Sequence, residues 1–297
     1  MTIMPSDLLA SPLIGRKAHK GQPQQLLKWI GNKQRYAVEI ISHWPKSFST
    51  YFEPFTGSAA VLGALGPERA VAGDIYAPLI EIWHAVQRSA IEVGEWYAER
   101  HALIERMGKT EAYLSVRDSF NSRPNGPDFL FLSRACYGGV VRFRKKDGAM
   151  STPPGPHNPI SPEKFTARAQ SWHERLQGTE FIRADYREVM ARAGAGDVVY
   201  CDPPYSDSQS ILYGAQDFRL SDLYSAIEAC KKRGAFVILS IDGTKKSGSD
   251  NIDIAPPESL FEREVFVNCG RSMLRRFQMV GQSLEQEEVT DRLLLTW

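Results

Sequence analysis

The chain has 297 residues, of which 42% are apolar and 24% are charged, the composition of an ordinary soluble globular protein. Its formal net charge of +1 excludes no class of partner, because local clusters of charge decide nucleic-acid binding more than the total does. The apolar runs are far shorter than a membrane span, and Met1 to Gln25 lacks the apolar core of a signal peptide. We therefore expect a cytoplasmic protein.

Cysteine and histidine residues are scattered along the chain. The four cysteines are Cys136, Cys201, Cys230 and Cys269. No pair has the spacing of metal ligands, and the set does not form the framework of a small disulfide-bonded protein. We expect no metal site and a reducing compartment.

The first elements predicted in chain order are a tail and a strand–helix–strand unit. Residues 1–24 form a tail whose small basic group is best explained as solvated, with a polyanion contact as the alternative. A strand is predicted over 48–55, a helix over 59–65 and a second strand over 69–73, ending at Asp74. This alternation predicts a parallel sheet covered by helices.

The alternation then stops for about a hundred residues, a size that suits an inserted module. Residues 76–121 have helical periodicity, a further helix is predicted over 128–136, and Asp147-Gly148 between extended runs indicates a hairpin. Alternation resumes with strands over 181–185 and 197–201, a helix over 222–232, a strand over 235–240 and a final strand pair over 260–269 and 291–297. We predict an α/β domain made of residues 25–79 and 176–297, interrupted by a mostly helical insertion, 80–175, that carries the hairpin.

The sequence Asp202-Pro203-Pro204-Tyr205 follows an apolar run, Val198 to Cys201, that is typical of a buried strand. Ligands bind at the carboxyl ends of the strands in open α/β sheets. Proline fixes φ and lacks an N–H, so this turn is stiff and its carbonyls are available as acceptors. The Asp202 side chain and a proline carbonyl could both accept hydrogen bonds from one amine, while Tyr205 offers a stacking face. The alternative is a turn that only closes the strand.

A second candidate site lies where the first strand meets its helix, at Glu53-Pro54-Phe55-Thr56-Gly57-Ser58. Gly57 allows the backbone to approach a ligand, and the N-terminus of the following helix favours electron-rich groups. Asp74, at the end of the next strand, is placed to hold ribose hydroxyls, although a helix N-cap is an equal alternative. The three-glycine dinucleotide fingerprint is absent, so the pattern fits a nucleoside-bearing cofactor without a pyrophosphate.

Two basic segments could contact nucleic acid or a cofactor. Lys28 to Lys33 places two lysines and Trp29 around a turn, for which an exposed turn anchored by Trp29 is the alternative. The run Arg142-Phe143-Arg144-Lys145-Lys146 forms one arm of the predicted hairpin. Its cations could pair with phosphates or guanine edges in a major groove, and Phe143 could wedge between base steps. The alternative is a solvated charged hairpin.

Together these motifs resemble the Dam-like adenine-N6 DNA methyltransferases, from about Leu26 onward. The segments Lys28–Lys33, Glu53–Gly57 and Asp74-Ile75 resemble the family's cofactor motifs, and Asp185-Tyr186 resembles the pair beside the cofactor adenine. The stretch Arg134–Gly139 through Pro153-Pro154-Gly155 resembles the recognition hairpin, and Asp202–Tyr205 the catalytic motif. The chain departs from the family pattern at Asn32 and Ala59, where glycine is usual, and at Arg144, where asparagine is frequent.

The resemblance implies a Rossmann-like S-adenosylmethionine-dependent methyltransferase sheet with an inserted target-recognition domain. It implies site-specific transfer of a methyl group to the exocyclic amine of an adenine flipped out of double-stranded DNA. It assigns catalysis to Asp202, Pro203, Pro204 and Tyr205, and cofactor binding to Trp29, Lys33, Glu53, Pro54, Phe55, Gly57, Asp74, Asp185, Tyr186 and Asp202. It assigns DNA binding to Arg134, Tyr137, Arg142, Phe143, Arg144, Lys145 and Lys146.

The resemblance also carries expectations about biology. It implies a bacterial or phage enzyme associated with the nucleoid, acting as a monomer or homodimer, with a possible partner restriction endonuclease in a restriction-modification system. Three other functions remain open from the residues: the same chemistry on cytosine or on adenine in RNA, a non-catalytic DNA-binding regulator, and a dehydrogenase. Asp202 at the head of the catalytic motif favours adenine, and the missing three-glycine fingerprint disfavours the dehydrogenase.

Overall fold

The computed structural model describes residues 21–29, 31–204, 218–242, 256–271 and 288–297. Its strands are β1 (Tyr51–Glu53), β2 (Ala70–Asp74), β3 (Thr179–Arg183), β4 (Val198–Cys201), β5 (Phe236–Asp242), β6 (Arg263–Arg271) and β7 (Glu288–Leu295). They form one seven-stranded sheet in the order β3-β2-β1-β4-β5-β7-β6. Strand β7 is antiparallel to both of its neighbours, and the other pairs are parallel.

The strand order fixes where a ligand can bind. From β1 the chain adds β2 and β3 on one side, and then β4 and β5 on the other. The chain therefore changes direction across the sheet between β1 and β4. In open α/β sheets, ligands bind in the crevice that such a change of direction opens at the carboxyl ends of the strands. The predicted α/β fold class is confirmed.

The described part of the chain contains nine α-helices. They are α1 (Ala37–Ser42), α2 (Ala60–Leu65), α3 (Ala77–Arg88), α4 (Ala90–Met107), α5 (Lys109–Ser122), α6 (Gly126–Ala135), α7 (Pro162–Leu176), α8 (Tyr186–Ala191) and α9 (Leu220–Lys232). Helices α8 and α9 pack on one face of the sheet, and α2, α3 and α7 pack on the other. None of these helices is both long and apolar enough to cross a bilayer.

The predicted insertion packs tightly against the sheet. Trp172 of α7 lies 5.2 Å from Trp83 of α3, ring centre to ring centre, and Trp83 stacks on Phe181 of β3 at 6.2 Å. All three rings belong to one buried apolar cluster. The boundaries at 80 and 175 stay a prediction, but any movement of the insertion must disturb this shared core.

Helix α7 also holds the segment that precedes α1. Trp172 Nε1 donates to the carbonyl of Gln24 at 2.8 Å, and Arg175 Nη2 donates to the carbonyl of Gly21 at 2.6 Å. Residues 21–24 of the predicted tail are therefore bound by side chains of α7. The basic group at residues 16–20 lies outside the described residues.

The predicted strands and helices agree with the structure in type, and their boundaries differ by a few residues. The first strand, predicted over 48–55, is only Tyr51–Glu53. Thr56 ends it, because the Thr56 hydroxyl donates to the carbonyls of Glu53 and Gly73 and turns the chain at that point. The helix predicted over 128–136 starts earlier, at Gly126, because the Asn125 side chain caps it by accepting from the Asp128 N–H.

The basic hairpin is present as a turn closed by single bridges. Phe143 pairs antiparallel with Met150, and Cys136 pairs with Pro154. The Arg144 N–H donates to the carbonyl of Ala149 at 2.9 Å. The segment at residues 142–151 therefore doubles back as the Asp147-Gly148 signal predicts, although it forms no extended ladder.

Candidate active site

A cavity of about 330 Å³ opens at the carboxyl ends of β1, β2 and β4. This volume lies within the range of small-molecule sites in proteins. Its walls combine acidic, aromatic and proline residues from segments that are far apart in the sequence. The lining includes Trp29, Lys33, Glu53, Pro54, Phe55, Gly57, Asp74, Asp185, Tyr186, Asp202, Pro203, Pro204, Phe218 and Asp222. The structure thus brings together every described residue to which the sequence assigned catalysis or cofactor binding.

Glu53, at the end of β1, is a carboxyl group buried in the cavity wall. Its Oε2 accepts from the Tyr51 hydroxyl at 2.8 Å and from the Leu62 N–H at 3.0 Å. Burial raises the pKa of Glu53 to about 8, against the opposing hydrogen bond from Tyr51 and with a further contribution from the charge of Asp202. A cation that enters the cavity would relieve this penalty by pairing with the carboxylate.

Asp74 and Gly57 form the second acidic part of the cavity. The Gly57 N–H donates to Asp74 Oδ2 at 3.0 Å, and the Tyr76 N–H donates to Oδ1 at 2.9 Å. Burial raises the pKa of Asp74, and these backbone hydrogen bonds oppose the rise. The N-cap of α3 is Tyr76, so Asp74 does not cap that helix. Gly57 has φ of 46°, a conformation in which glycine avoids the strain of other residues.

Trp29 closes the cavity over this turn. A Cβ at position 57 would lie 3.0 Å from Trp29 Nε1, so Gly57 also allows the indole to approach. The Trp29 ring packs edge-on against Phe129 at 5.7 Å between centroids. The turn is therefore anchored on the core, and the same side chain lines the cavity.

Three aromatic rings cluster around another part of the cavity. Phe55 stacks on Tyr186 at 5.1 Å between centroids, and Phe218 packs edge-on against both rings at 6.0 and 5.9 Å. Such faces suit a flat heterocycle. Beside them, Asp185 caps α8 through the Arg187 N–H and pairs with the Arg187 guanidinium at 2.7 Å. Although burial acts to raise it, the hydrogen bonds from Arg187 lower the pKa of Asp185.

Asp202 follows β4 and meets Lys33 in the cavity. The Lys33 ammonium lies 3.3 Å from Asp202 Oδ1 and 2.6 Å from Asp291 Oδ2. Burial acts to lower the pKa of Lys33, but the charge of Asp202, with that of Asp291, raises it well above its ordinary value. Lys33 therefore carries a positive charge held between two carboxylates. Pro203 and Pro204 line the cavity next to Asp202, and Tyr205 lies outside the described residues.

The residues predicted to bind DNA fall into two groups. Arg134 is buried, and its guanidinium donates to the carbonyls of Gln25 and Leu26. These hydrogen bonds satisfy the buried guanidinium of Arg134 within the protein. Arg134 is therefore not part of the DNA surface that we propose below. Tyr137 is 45% exposed, and the hairpin cations are exposed, namely Arg142, Arg144, Lys145 and Lys146.

Two hairpin side chains make contacts that the sequence did not indicate. Phe143 is half-buried, and its ring packs edge-on against Tyr76 at 5.8 Å between centroids. Arg144 pairs with Asp147 at 2.8 Å across the turn. Phe143 thus anchors the hairpin next to the cavity, because Tyr76 also binds Asp74 through its backbone. A role for Phe143 as a wedge between bases would require these ring contacts to break.

Phe218 and Asp222 in the cavity lining, and Asp291, which contacts the cavity residue Lys33, were not among the site residues predicted from the sequence. Phe218 and Asp222 precede and open α9, and no motif marks them. Asp291 had a usable signal, because alternation along β7 puts it on the same face as Leu293 and Leu295, which are buried. An acidic side chain at a core-facing strand position is rare unless it has a charged partner.

Comparison with known proteins agrees with this geometry. The family model of the D12 class N6 adenine-specific DNA methyltransferases matches residues 29–255. The chain is 33% identical over 229 residues to the retron Ec67 DNA adenine methylase of Escherichia coli, covering 74% of this chain and 77% of that protein. It is 28% identical over 245 residues to the DNA N-6-adenine-methyltransferase of Escherichia phage P1, covering 77% of this chain and 30% of that longer protein.

Among solved structures, the rRNA methyltransferase aviRa from Streptomyces viridochromogenes aligns with 98% of this chain and 92% of its own, with a TM-score of 0.37 and 14% identity. The family assignment therefore depends on the sequence matches. The segment matched by the family model contains the described cavity residues from Trp29 to Asp222, whereas Asp291 lies beyond it.

Proposed function

This chain belongs to the D12 class N6 adenine-specific DNA methyltransferases, and we propose that the cavity at the carboxyl ends of β1, β2 and β4 is its active site. The enzyme class that the sequence resemblance predicts is confirmed: the chain is an adenine-specific DNA methyltransferase. We further propose that S-adenosylmethionine is the methyl donor and that the target adenine leaves the duplex before reaction. The observation that carries this proposal is the meeting of Asp202-Pro203-Pro204 with buried acids and an aromatic cluster in one cavity.

The described side chains fit S-adenosylmethionine by their chemistry. Glu53 offers a buried carboxyl group to the cationic amino group of the methionine part, and Asp74 offers acceptors to the ribose hydroxyls. The rings of Phe55, Tyr186 and Phe218 suit the adenine. When bound, S-adenosylmethionine supplies an electrophilic methyl group on a positively charged sulfur.

Asp202 and the Pro203 carbonyl prepare the amine of the target base. The lone pair of an adenine amine is delocalised into the ring, which makes this nitrogen a poor nucleophile. Two acceptors that bind its two N–H groups favour a tetrahedral nitrogen, whose lone pair can form the new N–C bond. The methylated nitrogen then loses one of the protons that are hydrogen-bonded to these acceptors, and the Asp202 carboxylate can take it up. Positioning and electrostatic complementarity carry the reaction without a covalent enzyme intermediate.

We propose that the basic hairpin at residues 142–151 contacts the DNA. Its exposed cations can neutralise phosphates, and Arg144 can reach a base edge if it exchanges its partner Asp147. Phe143 packs the hairpin against Tyr76, and this contact supports a DNA surface that lies next to the cavity. The division into a catalytic unit, 25–79 with 176–297, and a recognition insertion, 80–175, is part of this proposal.

The relatives support parts of the biological expectation. They come from a bacterium and a phage, which favours a bacterial cytoplasmic enzyme. A partner restriction endonuclease, association with the nucleoid, and the choice between monomer and homodimer stay predictions.

The test is incubation of the enzyme with isotope-labelled S-adenosylmethionine and plasmid DNA. Nucleoside mass spectrometry should find label in N6-methyl-2′-deoxyadenosine, and single-molecule sequencing should map the modified site. Asp202→Ala should lose methyl transfer and keep measurable affinity for the cofactor, because the variant removes an acceptor of the target amine. Near-normal turnover in Asp202→Ala would contradict the role given to this residue, and label in cytosine would contradict the substrate.

A further inference from the structure

Asp291 is a buried acid that lies outside the segment matched by the family model. It lies on β7 and pairs with Val267 of β6 and Asp242 of β5. Its side chain is 7% exposed, in line with Leu293 and Leu295 on the core-facing side of the strand. A buried acid is costly unless a cation and hydrogen bonds compensate it, so its partner indicates its role.

Asp291 contacts Lys33, which also contacts the proposed catalytic residue Asp202. Lys33 Nζ donates to Asp291 Oδ2 at 2.6 Å and lies 3.3 Å from Asp202 Oδ1. Strand β5 separates β4, which leads into Asp202, from β7. The Lys33 ammonium therefore bridges two carboxylates across an intervening strand, and its shorter contact is to the acid that does not line the cavity.

This unequal sharing has a physical consequence for Asp202. If the Lys33 ammonium paired only with Asp202, it could move with the Asp202 side chain. It would then neutralise the carboxylate that must accept a hydrogen bond from the target amine. Asp291 holds the ammonium in a fixed position through the shorter of its two contacts. Asp202 therefore has a fixed cationic partner that lies farther from it than from Asp291. Two carboxylates around one ammonium also leave a net negative charge, which complements the positive charge that develops on the nitrogen during methyl transfer.

We propose that Asp291 is a positioning residue for the reaction: it holds the Lys33 ammonium in place, and the ammonium in turn fixes the orientation of the Asp202 carboxylate. The inference rests on the proposed function, because it takes Asp202 as an acceptor of the target amine. Lys33, which the sequence assigned to cofactor binding, acts here as the link between the two acids.

The test starts with Asp291→Asn, which keeps the size of the side chain and removes its charge. We expect kcat to fall by roughly ten- to a hundredfold, the scale on which misplacement of a reacting group by about 1 Å acts. The KM for DNA and the dissociation constant of S-adenosylmethionine should change less than about threefold, because Asp291 does not line the cavity. DNA carrying 2-aminopurine at the mapped target should fluoresce equally with the variant and the wild type, since base extrusion precedes the positioned step.

A double-mutant cycle separates positioning from a general structural role. Lys33→Met removes the link, so Asp291→Asn should change kcat less than about twofold in that background. Asp291→Glu keeps the charge and should recover part of the activity. Asp128→Asn is the matched control, because Asp128 is also buried and paired with a cation, Arg100 at 2.8 Å, outside the cavity. It should lower stability in urea and leave the kcat of the folded enzyme unchanged.

The outcomes are distinguishable from those of the proposed function. Wild-type kcat in Asp291→Asn, or losses in Asp291→Asn and Lys33→Met that multiply in the double variant, would overturn the positioning role while Asp202→Ala remained inactive. If Asp291→Asn does not fold, Asp291→Glu decides, since a folded Glu variant with altered KM and unaltered kcat would also overturn it. Turnover by Asp202→Ala would instead contradict the role that we propose for Asp202, on which this inference rests.

Discussion

Glu53→Gln should stabilise the cofactor-free enzyme at neutral and mildly alkaline pH. The pKa of Glu53 rises from its ordinary 4.5 to about 8 because the carboxyl group is buried. Between these values the unfolded chain has released the proton, and the folded protein still holds it. Glu53 therefore does not lower the free energy of unfolding below pH 4.5. As the pH rises toward 8, this free energy falls, because ionisation is easier in the unfolded chain.

The size of this effect follows from the displacement of the pKa. Each pH unit is worth about 1.4 kcal/mol, so the difference between 4.5 and about 8 corresponds to at most about 5 kcal/mol at pH 8. The amide oxygen of glutamine can still accept from the Tyr51 hydroxyl and the Leu62 N–H, which both bind Oε2 of Glu53. The variant thus removes the titrating group and leaves these hydrogen bonds in place.

The assay is urea unfolding of both proteins at half-unit steps from pH 4.5 to 8. The difference in the free energy of unfolding, variant minus wild type, should grow with pH, since other titrating groups cancel in the comparison. The same variant should bind S-adenosylmethionine more weakly, a trade of stability against function. Parallel stability curves for the two proteins across this window would refute the reasoning about Glu53.

Two further variants test the core and the hairpin. Gly63→Ala should destabilise the fold by about 1–3 kcal/mol, because the new methyl group would clash with the Trp172 ring. Thermal unfolding should show this loss of stability. Gly194→Ala is the control and should keep the stability of the wild type, because its new methyl group faces open space. Arg144→Ala should weaken DNA binding, lower the slope of log K against log salt by about 1 and relax site choice by about 1–3 kcal/mol. Arg192→Ala removes a similarly exposed cation paired with Glu180 and is its control. Equal DNA affinity, salt slope and specificity in Arg144→Ala and the wild type would move recognition elsewhere.

Local patterns in the sequence predicted many of the residues that line the cavity. The apolar run before Asp202 predicts β4, and the turn at Gly57 with Asp74 at the end of β2 predicts a nucleoside site; all three residues lie in one cavity. These residues lie together because parallel strands share one carboxyl edge. A residue that directly follows a strand is therefore located as soon as the strand is recognised.

The burial of single side chains was harder to predict, because it depends on which residues from distant parts of the chain pack against them. Arg134 lies in a motif that resembles a DNA-recognition segment, yet its guanidinium binds carbonyls of the segment before α1. Phe143 sits in a basic run, yet its ring packs on Tyr76. Neither partner is near in sequence, so no local pattern could indicate the contact.

The sequence by itself determined the α/β alternation, the family and the acids at the strand ends, since each depends on periodicity or on a short motif. Only the tertiary structure decided that Lys33 joins Asp202 to Asp291, which is 258 positions away from Lys33 along the chain. The physical reason is the strand order. It places β7 beside β5, so that one buried ammonium can lie within reach of both carboxylates.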